Sequence, residues 1–526
     1  MPAALFLAKL SLLGVLATLL PLFAGLRRRR HALAAGLVAF TILLGGSTLT
    51  FVAADRPGLA RHWLLLGGGA VVGLALLAGL TWLAWRYPRW AVPAMIVVMP
   101  LRVPLSAAGS SANLLVPLCL TALAILLAEV VLRDRLRWPD DLPRDPARYA
   151  LAAVIAVAGV TTLWVGLHYA AHDTAFAASL TKLFAFFLPF AVVYYLVYRY
   201  LARREDLYRL VFALLGSGAV LAVVGLVQYP TRWTFINRAK ILREAQIEHV
   251  YRINSLFWDP NMFGRFMVVV AVLAAAAALA LPGTRRRWLP AGVAALAAAA
   301  LLLTFSRSSW LALSTAAILF EFVWLGRRKG LVVASLTVAL LLGGFVAYTQ
   351  LRSPGATERK LETLYGWNKL SGGRAYLVRG GWKMFERHPE GIGFGGFPLA
   401  YPDYRQYHLV RGEKRPLGAK DLTESHTTAM TILAEQGVEG IAAFVALLVA
   451  YFATALRSAG LREDRRLRLL QGGFMAVVLA ILLHSFFYNA FFEDPYLWTV
   501  MAASMAIRCR LAQRPAPEME SAAAPV

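Results

Sequence analysis

Long, uninterrupted apolar runs recur along this chain, each about 18 to 23 residues and bounded by charge, and nothing else in it constrains the fold as tightly. A run of that length crosses a ~30 Å hydrocarbon core as one helix. The runs do not alternate between apolar and polar residues, which excludes barrel strands. Composition agrees: 59% of the residues are hydrophobic and 16% charged, where a soluble domain carries roughly 25% charged residues. The fold class expected is an all-α polytopic membrane protein, a bundle of about a dozen or more helices that cannot exist as a soluble enzyme.

The runs place helices near 3–25, 32–54, 63–85, 90–100, 113–132, 149–171, 178–198, 207–228, 262–282, 288–305, 309–326, 331–349, 426–456, 469–490 and 494–509. The run at 90–100 is short, and Pro93, Pro100 and Pro104 point to a broken or re-entrant segment. The first run lacks a basic leader and ends at four arginines, so it reads as a retained helix and not as a cleaved signal.

The net charge of +25 suggests nucleic acid, but its placement argues against that partner. Most of it lies in short clusters between apolar runs, such as Arg27 to Arg30, Arg285 to Arg287, Arg327 to Lys329 and Arg462 to Arg468. Such clusters are topology signals drawn to the cytoplasmic side. Threading the helices makes 26–31, 86–89, 133–148, 199–206, 283–287, 327–330, 457–468 and the C-terminal tail cytoplasmic. Segment 350–425 then lies outside. It is basic, but loops longer than about 60 residues escape the charge rule. Its aromatic content argues against disorder. Segment 229–261 is also external, and Phe235 to Arg243 forms an amphipathic stretch suited to the interface.

The expected organisation is thus extra N-terminal helices at 1–89, the first part of the helical core at 90–349, and a large external loop at 350–425. C-terminal helices follow at 426–510, with a disordered cytoplasmic tail at 511–526. Cys119 and Cys509 lie too far apart in sequence to suggest a disulfide framework or a zinc site. No histidine or carboxylate pair has metal-ligand spacing, so neither metal nor cofactor is expected.

Four stretches combine charge with unusual position. Thr304-Phe-Ser306-Arg307-Ser-Ser-Trp310 sets an arginine in a tight turn between two apolar runs. That is costly unless the charge is paired, bound to an anion or snorkelling to the interface. Gly372-Gly373-Arg374, with Arg379 beyond it, looks like a turn opening a short helix whose terminus could face a phosphate. Arg387-His388-Pro-Glu-Gly391-Ile-Gly393-Phe-Gly395-Gly396 lacks dinucleotide-fingerprint spacing. Its glycines suit a tight turn or a close backbone approach.

Glu424-Ser-His426-Thr, followed by Ala434-Glu435-Gln-Gly437-Val-Glu-Gly440, sits where the loop re-enters the membrane. A neutral imidazole there suits a general base, with Glu424 and Glu435 as possible partners; an interfacial structural histidine is the other reading. Asp259-Pro-Asn261 and Arg265 open a helix and read as its cap. His484, Tyr488 and Asn489 would share one helix face and support the core by hydrogen bonds.

In their order and on their shared outer side, these stretches resemble the O-antigen ligase and polymerase superfamily of bacterial membrane glycosyltransferases. The resemblance covers about residues 255 to 510. It rests on the Ser-Arg-Ser-x-Trp turn at 306–310, the Gly-Gly-Arg opening of the outer loop, the His-Pro-x-Gly-x-Gly stretch at 388–393, and the His426 segment with Ala-Glu-Gln-Gly-Val-Glu-Gly. Thr427 stands where relatives often carry asparagine.

The resemblance implies about twelve core helices, one large periplasmic loop and a place in the inner membrane. It also implies an inverting, metal-independent transfer of a glycan from an undecaprenyl-diphosphate carrier to an acceptor hydroxyl on a glycan, lipid or protein. Arg307 and Arg374 would hold the leaving diphosphate, and His426 would deprotonate the acceptor. Arg265, Arg379, Ser306, Trp310 and His388 would contact substrate. A repeat-unit polymerase and a protein O-glycosyltransferase remain open within the superfamily. A flippase or transporter is the alternative from another class, though the ionisable residues gather at one face and no internal repeat is evident. A peptidoglycan-type polymerase would instead use an outer-loop acid such as Asp421 or Glu424.

Overall fold

The computed structural model describes residues 63–100, 104–107, 110–113, 115–133, 146–168, 188–233, 252–257, 259–281, 283–326, 328–337, 374–404, 407–410, 413–416, 425–457, 464–488 and 491–512, together with residues 183 and 339. The helices expected at 3–25 and 32–54, the amphipathic stretch 235–243 and the C-terminal tail from 513 lie outside the described residues.

Among those residues the chain is helical, apart from two short antiparallel hairpins, 104–107 with 110–113 and 407–410 with 413–416. The helices in chain order are α1 (Trp63–Arg86), α2 (Pro88–Val98), α3 (Leu115–Leu127, continued by a π-turn Ala128–Leu132), α4 (Pro146–His168) and α5 (Leu188–Tyr200). Then come α6 (Arg204–Thr231), α7 (Pro260–Ala280), α8 (Thr284–Thr304) and α9 (Arg307–Leu325). Segment 350–425 supplies α10 (Arg374–Arg387) and α11 (Phe397–Tyr404). After it come α12 (Thr428–Ala455), α13 (Arg465–Ser485) and α14 (Pro495–Ala506, continued by a π-turn Ile507–Leu511).

Among the described residues, seven helices are long and apolar enough to cross a membrane: α4, α6, α7, α8, α9, α12 and α13. At 11 residues, α2 is too short to cross, as its prolines suggest. Segment 350–425 is structured in its described part, with two helices and a hairpin.

α7 and α13 form the bundle's axis, and both are largely buried. Neither carries a wide polar face, because other helices and not water surround them. Small residues let these helices approach: a Cβ on Gly473 would lie 2.7 Å from Ala276, and one on Gly472 would lie 2.5 Å from Val323 of α9. Four of the helices start on side-chain caps, from Asp259, Ser306, Asp464 and Asp494, which satisfy amides that lipid cannot.

The arginine-rich loops gather at one end of the bundle. Arg204 pairs with Asp464 at 2.6 Å, joining the 199–206 and 457–468 turns. Arg133 donates to the carbonyls of Ala84 and Trp85, and Arg510 donates to Tyr198 O at 2.9 Å. α6 and α13 both start at this end. They run to the opposite end, where Gln228 meets Asn254 and His484 meets Ser308. From Arg204 to Gln228 the rise is roughly 36 Å at 1.5 Å per residue, enough to cross a bilayer core.

Candidate active site

Four of the stretches singled out in sequence converge at the end remote from the arginine-rich loops. The first is a corner. α8 stops at Thr304, Phe305 turns left-handed at φ 49°, and Ser306 caps α9 through its hydroxyl, which accepts from Ser309 N. Gly264 of α7 admits this corner, since a Cβ there would lie 2.7 Å from Ser309 Oγ and 3.1 Å from Thr304 Oγ1.

A polar network fills the corner. Ser306 Oγ donates to Asn261 Oδ1 at 2.9 Å, and Arg252 donates to the same oxygen at 2.8 Å and to Thr304 O at 2.7 Å. Asp259 caps α7 as its sequence indicated, accepting from Asn261 N at 2.6 Å. Arg252 is a member that sequence reasoning missed. Its only signal was a charge beside Asn254 and Ser255, two polar residues that the fold buries against Gln228. Arg307 is the first residue of α9 and is exposed, while Trp310 is half-buried and packs on the core.

The second element is His426. It takes φ 56°, a left-handed conformation that is uncommon outside glycine, though histidine tolerates it better than most residues. A local serine turn holds it there. Ser425 Oγ accepts from Thr427 N at 3.1 Å and lies 2.7 Å from both Thr427 O and Thr431 Oγ1. Thr427 Oγ1 then donates to Phe486 O at 3.1 Å, and Thr428 Oγ1 accepts from Phe491 N at 3.3 Å. These two bonds tie the start of α12 to the turn after α13.

That turn carries Tyr488. α13 ends at Ser485, but Tyr488 N still donates to His484 O at 3.0 Å, so the two stay one helical turn apart, as the sequence reading placed them; Asn489 is outside the described residues. The Tyr488 ring sits 6.4 Å from His426 and 5.9 Å from His484. His484 is buried, with Nε2 3.1 Å from Ser308 Oγ. Tyr488 thereby links the histidine segment to the 304–310 corner.

Arg265 lies under the same ring, its guanidinium carbon 5.9 Å from the centroid. It is 2% exposed, and its Nε is 2.6 Å from Asp494 Oδ2, while Oδ1 of that carboxylate caps α14. A charge so buried is tolerable only with such a partner. The pair holds α7 to α14 beneath the site.

The third and fourth stretches dock on each other through their backbones. α12 breaks at Gly437, which adopts φ 63° and ψ −155°. The glycine-rich segment fills the break: Ile392 N donates to Ala434 O at 3.0 Å, Gly393 N to Glu435 O at 2.8 Å, and Val438 N to Pro389 O at 3.1 Å. Neither interface glycine could bear a side chain. A Cβ on Gly391 would lie 2.6 Å from Glu435 O, and one on Gly437 would lie 2.3 Å from Pro389 O. This is the close backbone approach that the glycine spacing suggested.

Glu435 is buried and accepts from Phe397 N at 3.2 Å, at the start of α11. Glu424 and Asp421 lie outside the described residues. A small satellite core of Leu377, Met384, Ile392, Phe397, Tyr401 and Ala434 fixes α10 and α11 onto the first turns of α12.

α10, described from Arg374 onward, places Arg379 on its exposed face. The Arg374 side chain lies outside the described residues. His388, just past the end of α10, is 44% exposed, 3.3 Å from Glu390, and sits beside the glycine dock. Among the described residues, no group of three or more His, Cys, Asp or Glu side chains is placed to hold a metal ion.

Fold and site together define a multi-pass helical membrane protein with a polar site, rich in histidine, serine and arginine, at one end of its bundle. Residues 292–445 match the O-antigen ligase family. The matched stretch contains the 304–310 corner, α10, the glycine dock and His426. No curated protein matches the chain.

Proposed function

We propose that this protein is a membrane glycosyltransferase of O-antigen ligase type. It moves a glycan from an undecaprenyl-diphosphate carrier to an acceptor hydroxyl on the outer face of the bacterial inner membrane. The observation that carries the proposal is the constrained left-handed His426, held in a serine turn beside Tyr488 at the same end of the bundle as the exposed Arg307. Backbone strain persists where surrounding bonds over-determine it, and such sites cluster where function needs a side chain aimed.

His426 takes the proton as the acceptor oxygen attacks the anomeric carbon. The bond from that carbon to the phosphate oxygen breaks, and the lipid diphosphate leaves with the bonding pair. Inversion follows from a single displacement. Negative charge grows on the leaving diphosphate, and Arg307 and Arg374 counter it as permanently charged, bidentate donors. Arg307 at the first position of α9 opposes the helix dipole, an unfavourable place for a cation unless an anion joins it. Arg379 and His388, on the exposed side of the outer segment, are supporting substrate contacts. Ser306 and Trp310 shape the corner from which Arg307 projects. Arg265 acts through its ion pair with Asp494, beneath Tyr488.

The test is complementation of a deletion strain with wild type, His426→Ala, Arg307→Ala or Arg374→Ala, with profiling of surface glycan and carrier-linked intermediates. We expect all three variants to insert normally, fail to restore the glycan and accumulate carrier-linked material outside. Long unattached chains identify a ligase, and single unattached repeat units a polymerase. Full restoration by the variants would remove this site assignment. Carrier-linked material confined to the inner face of the deletion strain would favour a transporter.

A further inference from the structure

We infer that the arginine-rich end of the bundle contains a binding site for a phosphate-bearing membrane lipid, with a charged chamber for the headgroup and an apolar groove for a chain. The site is remote from the polar cluster around His426 and does not depend on the glycosyl-transfer proposal.

The chamber, about 560 Å³, lies between the start of α2, the π-turn after α3, and the link between α5 and α6. Arg89, Arg133, Arg199, Arg203, Arg209 and Arg510 line it, so six cations face one cavity. Only Glu129, Glu205 and Asp206 oppose them among its lining residues. Its floor is rigid. Glu129 is 3% exposed and is held by Arg133 at 2.6 Å, Arg199 at 3.3 Å and the Tyr200 hydroxyl at 2.6 Å. Arg510 is also buried, and its donation to the Tyr198 and Arg199 carbonyls clamps α5.

Those bonds fix guanidinium groups in place before any ligand arrives. Above the floor, the Arg89 and Arg203 side chains are exposed and have no ion-pair partner among the described residues. Surplus, preorganised guanidinium is the chemistry that recognises phosphate oxygens.

An adjoining groove of about 500 Å³ selects a lipid over a soluble anion. Trp90, Tyr208, Phe212 and Ala213 line it, and it shares Pro93, Glu205 and Arg209 with the chamber. Phe212 is 37% exposed and Trp90 is 61% exposed, so the walls are open to a chain from the bilayer side. Arg209 stands at the junction, 2.8 Å from Asp206 and with its guanidinium carbon 5.9 Å from the Trp90 ring centroid. Charge continuous with an apolar trough fits an amphiphile with its phosphate at the bundle end and its chain along α2 and α6.

The experiment uses the purified full-length chain in detergent. Native mass spectrometry reads retention of phosphatidylglycerol, phosphatidylcholine or inorganic diphosphate by wild type, Arg89→Ala/Arg203→Ala and Phe212→Asn. We expect phosphatidylglycerol to be retained about tenfold better than phosphatidylcholine. The double arginine variant should lose about tenfold or more of that binding, since it removes two of the six cations that line the chamber. Phe212→Asn should weaken lipid retention while leaving any diphosphate binding unchanged. Unaltered far-UV circular dichroism shows that the variants fold. Equal retention of both lipids overturns the site. Diphosphate binding that competes fully with lipid, with no effect of Phe212→Asn, overturns the lipid and leaves a soluble phosphate site.

Discussion

The two ends of the bundle use arginine in opposite ways. At the arginine-rich end, guanidinium groups are tied into a network around buried Glu129 and backbone carbonyls. At the other end, Arg307 and Arg379 stand exposed beside a framework built mostly of neutral side chains. Asn261, Ser306, Ser308 and His484 make the contacts there, joined by Arg252, and the buried Arg265 is matched by Asp494. A tied cation organises protein, whereas an exposed one beside a rigid neutral framework awaits an anion. The difference separates structural from functional arginine better than position in sequence does.

The largest test of that contrast pairs one variant from each end. We expect His426→Ala to lower transfer by about 10² to 10⁴, the range a lost general base covers, as read by surface-glycan yield and accumulated carrier-linked donor. Arg89→Ala, at the opposite end, should leave transfer within twofold of wild type. Equal losses from both would break the distinction.

Next in size is the buried ion pair. Asp494→Ala strands the Arg265 charge and removes a cap on α14, which should cost about 3–5 kcal/mol in thermal or denaturant stability. Replacing Arg265 with Leu and Asp494 with Asn together removes the stranded charge and keeps a capping oxygen, so much of the loss should return. If that double variant also transfers glycan normally, Arg265 is a support and not a phosphate contact. Gly391→Ala should follow, at about 1–3 kcal/mol for a side chain at φ 85°, with further loss from its 2.6 Å approach to Glu435 O. Proteolysis of the outer segment would read the loosened dock.

The same contrast explains what the sequence could reveal. Helix type was legible wherever apolar runs exceed a bilayer's thickness, as in α6 and α7, because lipid removes every alternative for a backbone of that length. Motifs with a local cause were legible too: the Asp259 cap and the close approach at Gly391. What stayed hidden depends on partners far apart in sequence. Arg252 became part of the corner only through Thr304, 52 residues on, and Tyr488 met His426 only across the tertiary fold. The Glu129 network joins residues 71 apart, and no spacing rule announces it.

The smallest effect concerns Thr427, the residue after His426. Its hydroxyl donates to Phe486 O at 3.1 Å, tying the residue after His426 to the turn that carries Tyr488. Valine keeps the shape and removes the donor, leaving a carbonyl without this bond. Such a loss is on the order of 1 kcal/mol. Thr427→Val should therefore fold normally and reduce transfer a few-fold, while Thr427→Asn, which retains a donor, should recover most of the activity. A fair control is Thr315→Val, which removes an exposed hydroxyl's bond to Leu311 O within α9. Thr315 lies two turns along α9 from the corner and should leave transfer unchanged. If the two valine variants behave alike, the tether is ordinary packing, and the left-handed turn of Ser425 and His426 alone aims the imidazole.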